Sequence, residues 1–161
     1  MPDLSHFDEK GASRMVDVGG KPVTQRIAVA SGTIVMKSET ISLIRNKEFS
    51  KGDVLEVARL AGIMAAKQTP QLIPLCHAIP ISSVTIDLEF IDSTSVSIVA
   101  SVKTNAQTGV EMEAMTAVSV TALTVYDMCK SVDREITISE IKLLEKCGGK
   151  SGHFVRSETS D

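Results

Sequence analysis

The sequence has no tryptophan, one tyrosine and four phenylalanines among 161 residues. Its core must then be assembled from Val, Ile, Leu, Ala and Met, and it lacks the aromatic platforms on which nucleic-acid bases stack. The cysteines are few and odd in number, Cys76, Cys129 and Cys147, and no pair has Cys-x-x-Cys spacing. That argues against a disulfide framework and fits a protein of the reducing cytoplasm. Only His6, His77 and His153 offer imidazoles, none at zinc-motif spacing from a cysteine, so no metal ligand set is expected. No stretch approaches the roughly 18 apolar residues of a membrane span. The opening MPDLSHFDEKGASRMVDV has no apolar run of the kind a secretory leader carries. Neither sign of charge prevails: 20 acidic against 17 basic residues leave a net −3. Such a balance gives no general attraction to nucleic acid or to anionic membranes.

What is present is a 43% hydrophobic, 23% charged chain, enough for one domain over residues 1–161 with a real core. Residues 1 to about 20 and 148–161 are expected to be loosely held. Gln25 to Met36 reads as a strand, with Ile27, Val29, Thr33 and Val35 alternating against smaller residues. A short amphipathic stretch, 38–46, follows. Asp53, with Glu56 three residues on, forms a capping-box pattern ahead of an Ala-rich helix that Pro70 ends. Three prolines stiffen 70–80 as a loop. Val84, Ile86, Leu88 and Phe90 alternate with polar residues as a second strand, and Val96, Ile98, Ala100 and Val102 make a third after a turn at 92–94. Gly109 to about Lys130 is a second helix, whose Met115, Val118, Ala122, Val125 and Cys129 form a core stripe. Ile136, Ile138, Ile141 and Leu143 give a last strand whose phase slips between 138 and 141, as a bulge would cause. The order is βαββαβ, an α+β, ferredoxin-like arrangement with two main helices on one face of an antiparallel sheet. The other face needs cover from a partner or from the N-terminal residues.

Several residues could carry chemistry. The tail GGKSG, 148–152, resembles part of a phosphate-binding loop, but Leu144 stands where the full pattern needs glycine and no room remains for the helix that should follow. A solvated tail is the plain alternative to one that brings Lys146 and Lys150 to a ligand. His77, between prolines in a stiff loop, suits hydrogen bonding or proton shuttling, or it is simply a surface histidine. Asp127 and Lys130 are neighbours on one helix face, as a surface ion pair would be. However, the face running Glu113, Ala117, Val120, Thr124, Asp127 lies opposite the core stripe, and its middle is small and apolar. That face reads as buried against another subunit or lining a pocket, which would make Asp127–Lys130 an acid-base pair. Lys51 and Lys67, at the two ends of the first helix, could as well be ordinary solvated lysines.

Six blocks in order, MVDV (15–18), KGDV (51–54), ARLAGIMAAK (58–67), LIPLCH (72–77), TGVEMEAMTAVSVTALTVYDMCK (108–130) and GGKSG (148–152), resemble the cyclic pyranopterin monophosphate synthase family of molybdenum cofactor biosynthesis. The departures are Ala78, where the family often has proline, and Cys147, where serine is common. The resemblance implies a lyase that takes a 3′,8-cyclo-7,8-dihydroguanosine triphosphate, made from GTP by a radical enzyme, to cyclic pyranopterin monophosphate with loss of pyrophosphate. It implies no required cofactor, although a divalent cation could accompany the triphosphate. By position it makes Asp127, Lys130 and Lys51 catalytic. Leu75, Cys76, His77, Glu111, Met112, Glu113, Lys67, Lys146 and Lys150 would hold substrate. It also implies a hexamer built as a trimer of dimers, with sites at the dimer interface. A ligand-sensing ferredoxin-like module without chemistry is the alternative class, and release of pyrophosphate separates the two. An RNA-binding domain is disfavoured, because Phe90 is the only aromatic on the strands.

Overall fold

The computed structural model describes residues 6–8, 10–50 and 52–157. Strand β1, Thr24–Val35, buries Ala28, Ala30 and Ile34 on one side and leaves the alternate residues half-exposed. Helix α1, Ser38–Arg45, has no cap from its own N-cap residue. Asp133, far along the chain, does that work: its carboxylate accepts from Lys37 N at 2.9 Å and from Thr40 Oγ1 at 3.1 Å. Helix α2, Val54–Lys67, starts at Asp53, which accepts from Glu56 N at 3.3 Å. The capping box is half made, because the Glu56 carboxylate turns instead to Arg59 at 3.2 Å. Pro70 does more than end this helix. It sits in the first turn of a short helix α3, Thr69–Leu72, where its missing N–H costs nothing, so the expected loop begins with a helical turn.

Strands β2, Ile81–Phe90, and β3, Ser95–Ala106, join through a turn in which Asp92 accepts from Thr94 N at 2.7 Å. Helix α4 spans Glu111–Cys129, strand β4 Thr137–Cys147, and a two-residue strand β5 is Phe154–Val155. The sheet order is β2-β3-β1-β4-β5 with every neighbour antiparallel. The first four are the expected ferredoxin-like arrangement, and β5 extends its edge. The register of β4 against β1 slips between Ser31 and Thr33, with Glu140 at φ 58, at the place where the apolar phase broke. A second slip lies between Val29 and Ala30.

Helices α2 and α4 cover one face of the sheet. They approach closely because Gly62 has no side chain: a Cβ there would lie 2.9 Å from Ala117 O and would also strike Thr121 and Ile86. Gly32 does the same for α4 against β1, since a Cβ would sit 2.7 Å from Val118 Cγ1. This packing corrects the expected faces of α4. The face was expected to be buried against another subunit or to line a pocket: Glu113 is buried and lines a pocket, while Ala117 is buried within the chain, where Gly62 of α2 packs against it. Val120 and Thr124 remain half-exposed, and Asp127 is exposed. On the other face of the sheet Val29, Ser31, Thr33, Val99 and Ser101 are half-exposed. Residues 16–21 are tied elsewhere, to the loop before β2 and to the end of β3. No described helix is long and apolar enough to cross a membrane.

Candidate active site

The loop between α3 and β2 comes back against the first turn of α4, and residues 16–21 close the gap from a third side. The result is a cavity of about 400 Å³. Its walls include Leu75, Cys76 and His77 from the loop, Glu111, Met112 and Glu113 from α4, and Val16, Val18 and Lys21 from the N-terminal segment. Six residues expected to hold substrate are thereby brought together. Val16 and Lys21 were not singled out by that reading of the residues. Val16 lies within the MVDV block but was given no role there, a lone lysine carries no local signal, and only the return of the chain puts them here.

The His77 Nε2 lies 2.7 Å from Val16 O. A carbonyl only accepts, so Nε2 carries a proton and donates it to Val16 O. Burial pushes the Cys76 thiol up, and Glu113 adds to the effect, so Cys76 stands as a thiol rather than a nucleophilic thiolate. Glu111 is paired with Lys146 at 3.0 Å, and the same ammonium donates to Ser151 Oγ at 2.8 Å. Lys146 therefore reaches the site from β4, held by the turn of the glycine-rich tail. Lys150 lines a neighbouring cavity of about 410 Å³ together with Arg26, Thr24 and Lys21. Lys21 faces both cavities. One is lined by carboxylates, a thiol and two imidazoles; the other is basic. Among the described residues, His, Cys, Asp and Glu form no group of three or more placed to share a metal ion.

The remaining expected residues lie apart. Lys130 Nζ donates to Asp127 Oδ1 at 2.6 Å. The hydrogen bond that Lys130 donates to Asp127, with the carboxylate's charge, raises the Lys130 pKa above its ordinary value. Both side chains are more than half exposed, so within one chain this is not the buried pair that the helix face had indicated. Fourteen helical residues separate Asp127 from Glu113, roughly 21 Å along the axis. Lys67 is exposed at the end of α2 and lines neither cavity. Lys51 falls outside the described residues.

Comparison with known proteins covers nearly the whole chain. The model of the MoaC family matches residues 15–149. The chain belongs to the MoaC family. A protein of Magnetococcus marinus named cyclic pyranopterin monophosphate synthase is 62% identical over 157 residues, covering 97% of this chain and 96% of its own. Proteins of the same name from Heliobacterium modesticaldum and Desulfitobacterium hafniense are 56% identical over 161 residues and 53% identical over 156. They cover 98% and 97% of this chain, and 100% and 96% of their own lengths. The MoaC match takes in both the cavity and the distant Asp127–Lys130 pair.

Proposed function

We propose that this chain is a cyclic pyranopterin monophosphate synthase acting in molybdenum cofactor biosynthesis. Its substrate is 3′,8-cyclo-7,8-dihydroguanosine 5′-triphosphate, supplied by a radical enzyme that cyclises GTP, and its products are cyclic pyranopterin monophosphate and pyrophosphate. The observation that carries this reading is the gathering of Leu75–His77 and Glu111–Glu113 around one cavity beside a basic one, in a chain that matches synthases end to end. A carboxylate- and imidazole-lined pocket suits a polar heterocycle, and a pocket with Lys21, Arg26 and Lys150 suits its phosphates.

In the last step a hydroxyl of the substrate attacks the α-phosphate. A new P–O bond closes the cyclic phosphate, the bridging P–O bond to the β-phosphate breaks, and pyrophosphate leaves with that electron pair, which makes the enzyme a lyase. The step is redox-neutral, so acid-base groups and cations clamping the phosphates are sufficient. Asp127 and Lys130 exchange the protons, with Lys51 assisting, and Lys67 meets the phosphates. In one chain Asp127 and Lys130 stand roughly 21 Å along α4 from the cavity's Glu113. A second copy closes that distance if the two subunits pack so that Asp127 of one faces Glu113 of the other. Support comes from exposed Val57, Leu60 and Met64, spaced along α2, and from exposed Leu123 and half-exposed Val120 on α4. Three such dimers make the hexamer. The protein works in the cytoplasm without a resident cofactor.

Incubation with the cyclic dihydroguanosine triphosphate and assay of pyrophosphate tests the activity. Wild-type protein releases pyrophosphate, and Asp127→Asn slows turnover by at least ~100-fold while keeping fold and oligomer. No pyrophosphate from the wild type would leave a binding module without catalysis.

A further inference from the structure

Lys21 faces both cavities, yet the segment that carries it, residues 16–21, belongs to no helix or strand. Local turns give the segment its shape. Asp17 Oδ1 accepts from Gly19 N at 2.8 Å, and Val18 O accepts from Lys21 N at 3.0 Å. Pro22 follows and biases Lys21 to extended backbone. None of this fixes the segment to the body of the protein. Packing does so only in part: Val16 and Val18 are half-buried, while 17 and 19–21 are exposed. Val18, Val23, Ile79 and Gln107 border a cavity of about 260 Å³ rather than a filled contact. Among the described residues, two side chains bond the segment to the rest of the chain. At one end His77 donates to Val16 O. At the other, the Gln107 side chain reaches Gly19 O at 3.2 Å and Lys21 O at 3.0 Å. Carbonyls only accept, so the group between them is the amide NH2, with one hydrogen for each. Gln107 is itself well anchored. It follows Ala106, which pairs with Thr24 at the end of the β1–β3 ladder. Its carbonyl accepts from Arg26 Nη2 at 3.2 Å, and Arg26 Nε donates to Ala106 O at 3.3 Å.

We propose that Gln107 is a positioning residue: its amide holds the backbone of Lys21 where the two cavities meet, so that the Lys21 ammonium grips the phosphates of a ligand whose ring lies in the first cavity. This rests on the reading of the two cavities as ring and phosphate sites. Gln107 lines neither of them, so any effect it has on a ligand passes through what it holds. A lysine on a loose segment must be ordered, backbone and side chain together, each time it grips an anion. A segment clasped beforehand spares the backbone part of that cost. Arg26 belongs to the same frame. It lines the basic cavity and steadies the Gln107 carbonyl, so one clasp sets the spacing of two cations.

Two measurements on the full chain test the proposal. Gln107→Met keeps a neutral side chain of similar length and removes the donors, whereas Gln107→Lys keeps donors. The first measurement needs no ligand. Amide hydrogen exchange over residues 16–21 should be several-fold faster in Gln107→Met and slow again in Gln107→Lys. The melting temperature should hardly move, because the segment opens independently of the core. The second is a double-mutant cycle in calorimetric binding of GTP, with Lys21→Met as the other variant. Gln107→Met should weaken binding about tenfold in the wild-type background, the worth of one or two such bonds. Lys21→Met should weaken it at least as much. Adding Gln107→Met to Lys21→Met should cost nothing further, since a residue that acts through Lys21 then has nothing to act on. A Gln107→Met or Lys21→Met protein that binds GTP like the wild type overturns the proposal. So does a tenfold loss that persists in the Lys21→Met background, because Gln107 would then act on something else. Unchanged exchange of 16–21 in Gln107→Met overturns the clasp itself. If the wild type does not bind GTP at all, the functional reading falls and the role of Lys21 with it, while the exchange rates still decide whether Gln107 holds the segment.

Discussion

Asp133 shows what one residue can do for a fold that has few caps of its own. It is 1% exposed, and its carboxylate takes the main-chain N–H of Lys37, the Thr40 hydroxyl and, at 3.1 Å, the main-chain N–H of Glu135. Those bonds fasten the start of α1 to the chain that leads into β4. Burial alone would push the Asp133 carboxyl up; the three donors outweigh it and hold its pKa below the usual value. A carboxyl with a depressed folded-state pKa stabilises above its unfolded pKa and loses that effect as pH falls through the folded value. Asp133→Ala is expected to cost about 2–4 kcal/mol at neutral pH by stranding buried donors. The gap between the melting curves of the two proteins should narrow below about pH 4. A gap that is constant with pH would mean that the carboxylate charge contributes nothing. No sequence pattern revealed this residue: its partners on α1, Lys37 and Thr40, lie more than ninety positions away, and capping rules look only at neighbours. His77 and Glu113 were legible because family blocks surround them. Lys21 lies in no such block and acquires its place from the path of the chain.

At the scale of elements, the strands and both main helices were readable because alternation and three-four spacing report burial directly. The bulge in β4 was readable too, since a phase slip in an apolar pattern has few other causes. The inner face of α4 was not. Helical periodicity shows that a stripe is apolar, but it does not say which neighbour lies on each side. With α2 packed beside it, α4 is buried over a wider arc than the sheet-facing stripe, and Glu113 and Ala117 fall inside it. Gly62 is the point on which that packing turns, so Gly62→Ala gives a sharp prediction. Alanine is ordinarily the better helix former by about 1 kcal/mol. Here its methyl would meet Thr121, Ile86 and the Ala117 carbonyl, and forcing the helices apart costs roughly 1–3 kcal/mol. Denaturant unfolding should show a loss of stability; a gain would mean that α2 and α4 have room to spare.

The whole molecule explains why the site was harder to read than the fold. A single chain presents a cavity at one end of α4 and, roughly 21 Å along the same helix, an exposed Asp127–Lys130 pair that does not line it. Sequence patterns run within one chain and cannot join the two. The proposed two-fold interface would join them at both ends at once, because whatever one subunit lends its partner lends in return. The half-exposed open face of the sheet and the apolar strip on α2 and α4 leave surface for such contacts. The most direct test is complementation between His77→Ala and Asp127→Asn proteins, dissociated and reassembled together. If the site is shared, each parent is nearly inactive. One of the two sites in every mixed dimer regains both groups, so pyrophosphate release should return to about a quarter of wild type after random pairing. Mixed oligomers that form and remain as inactive as their parents would contradict the account, because each site would then lie within one chain.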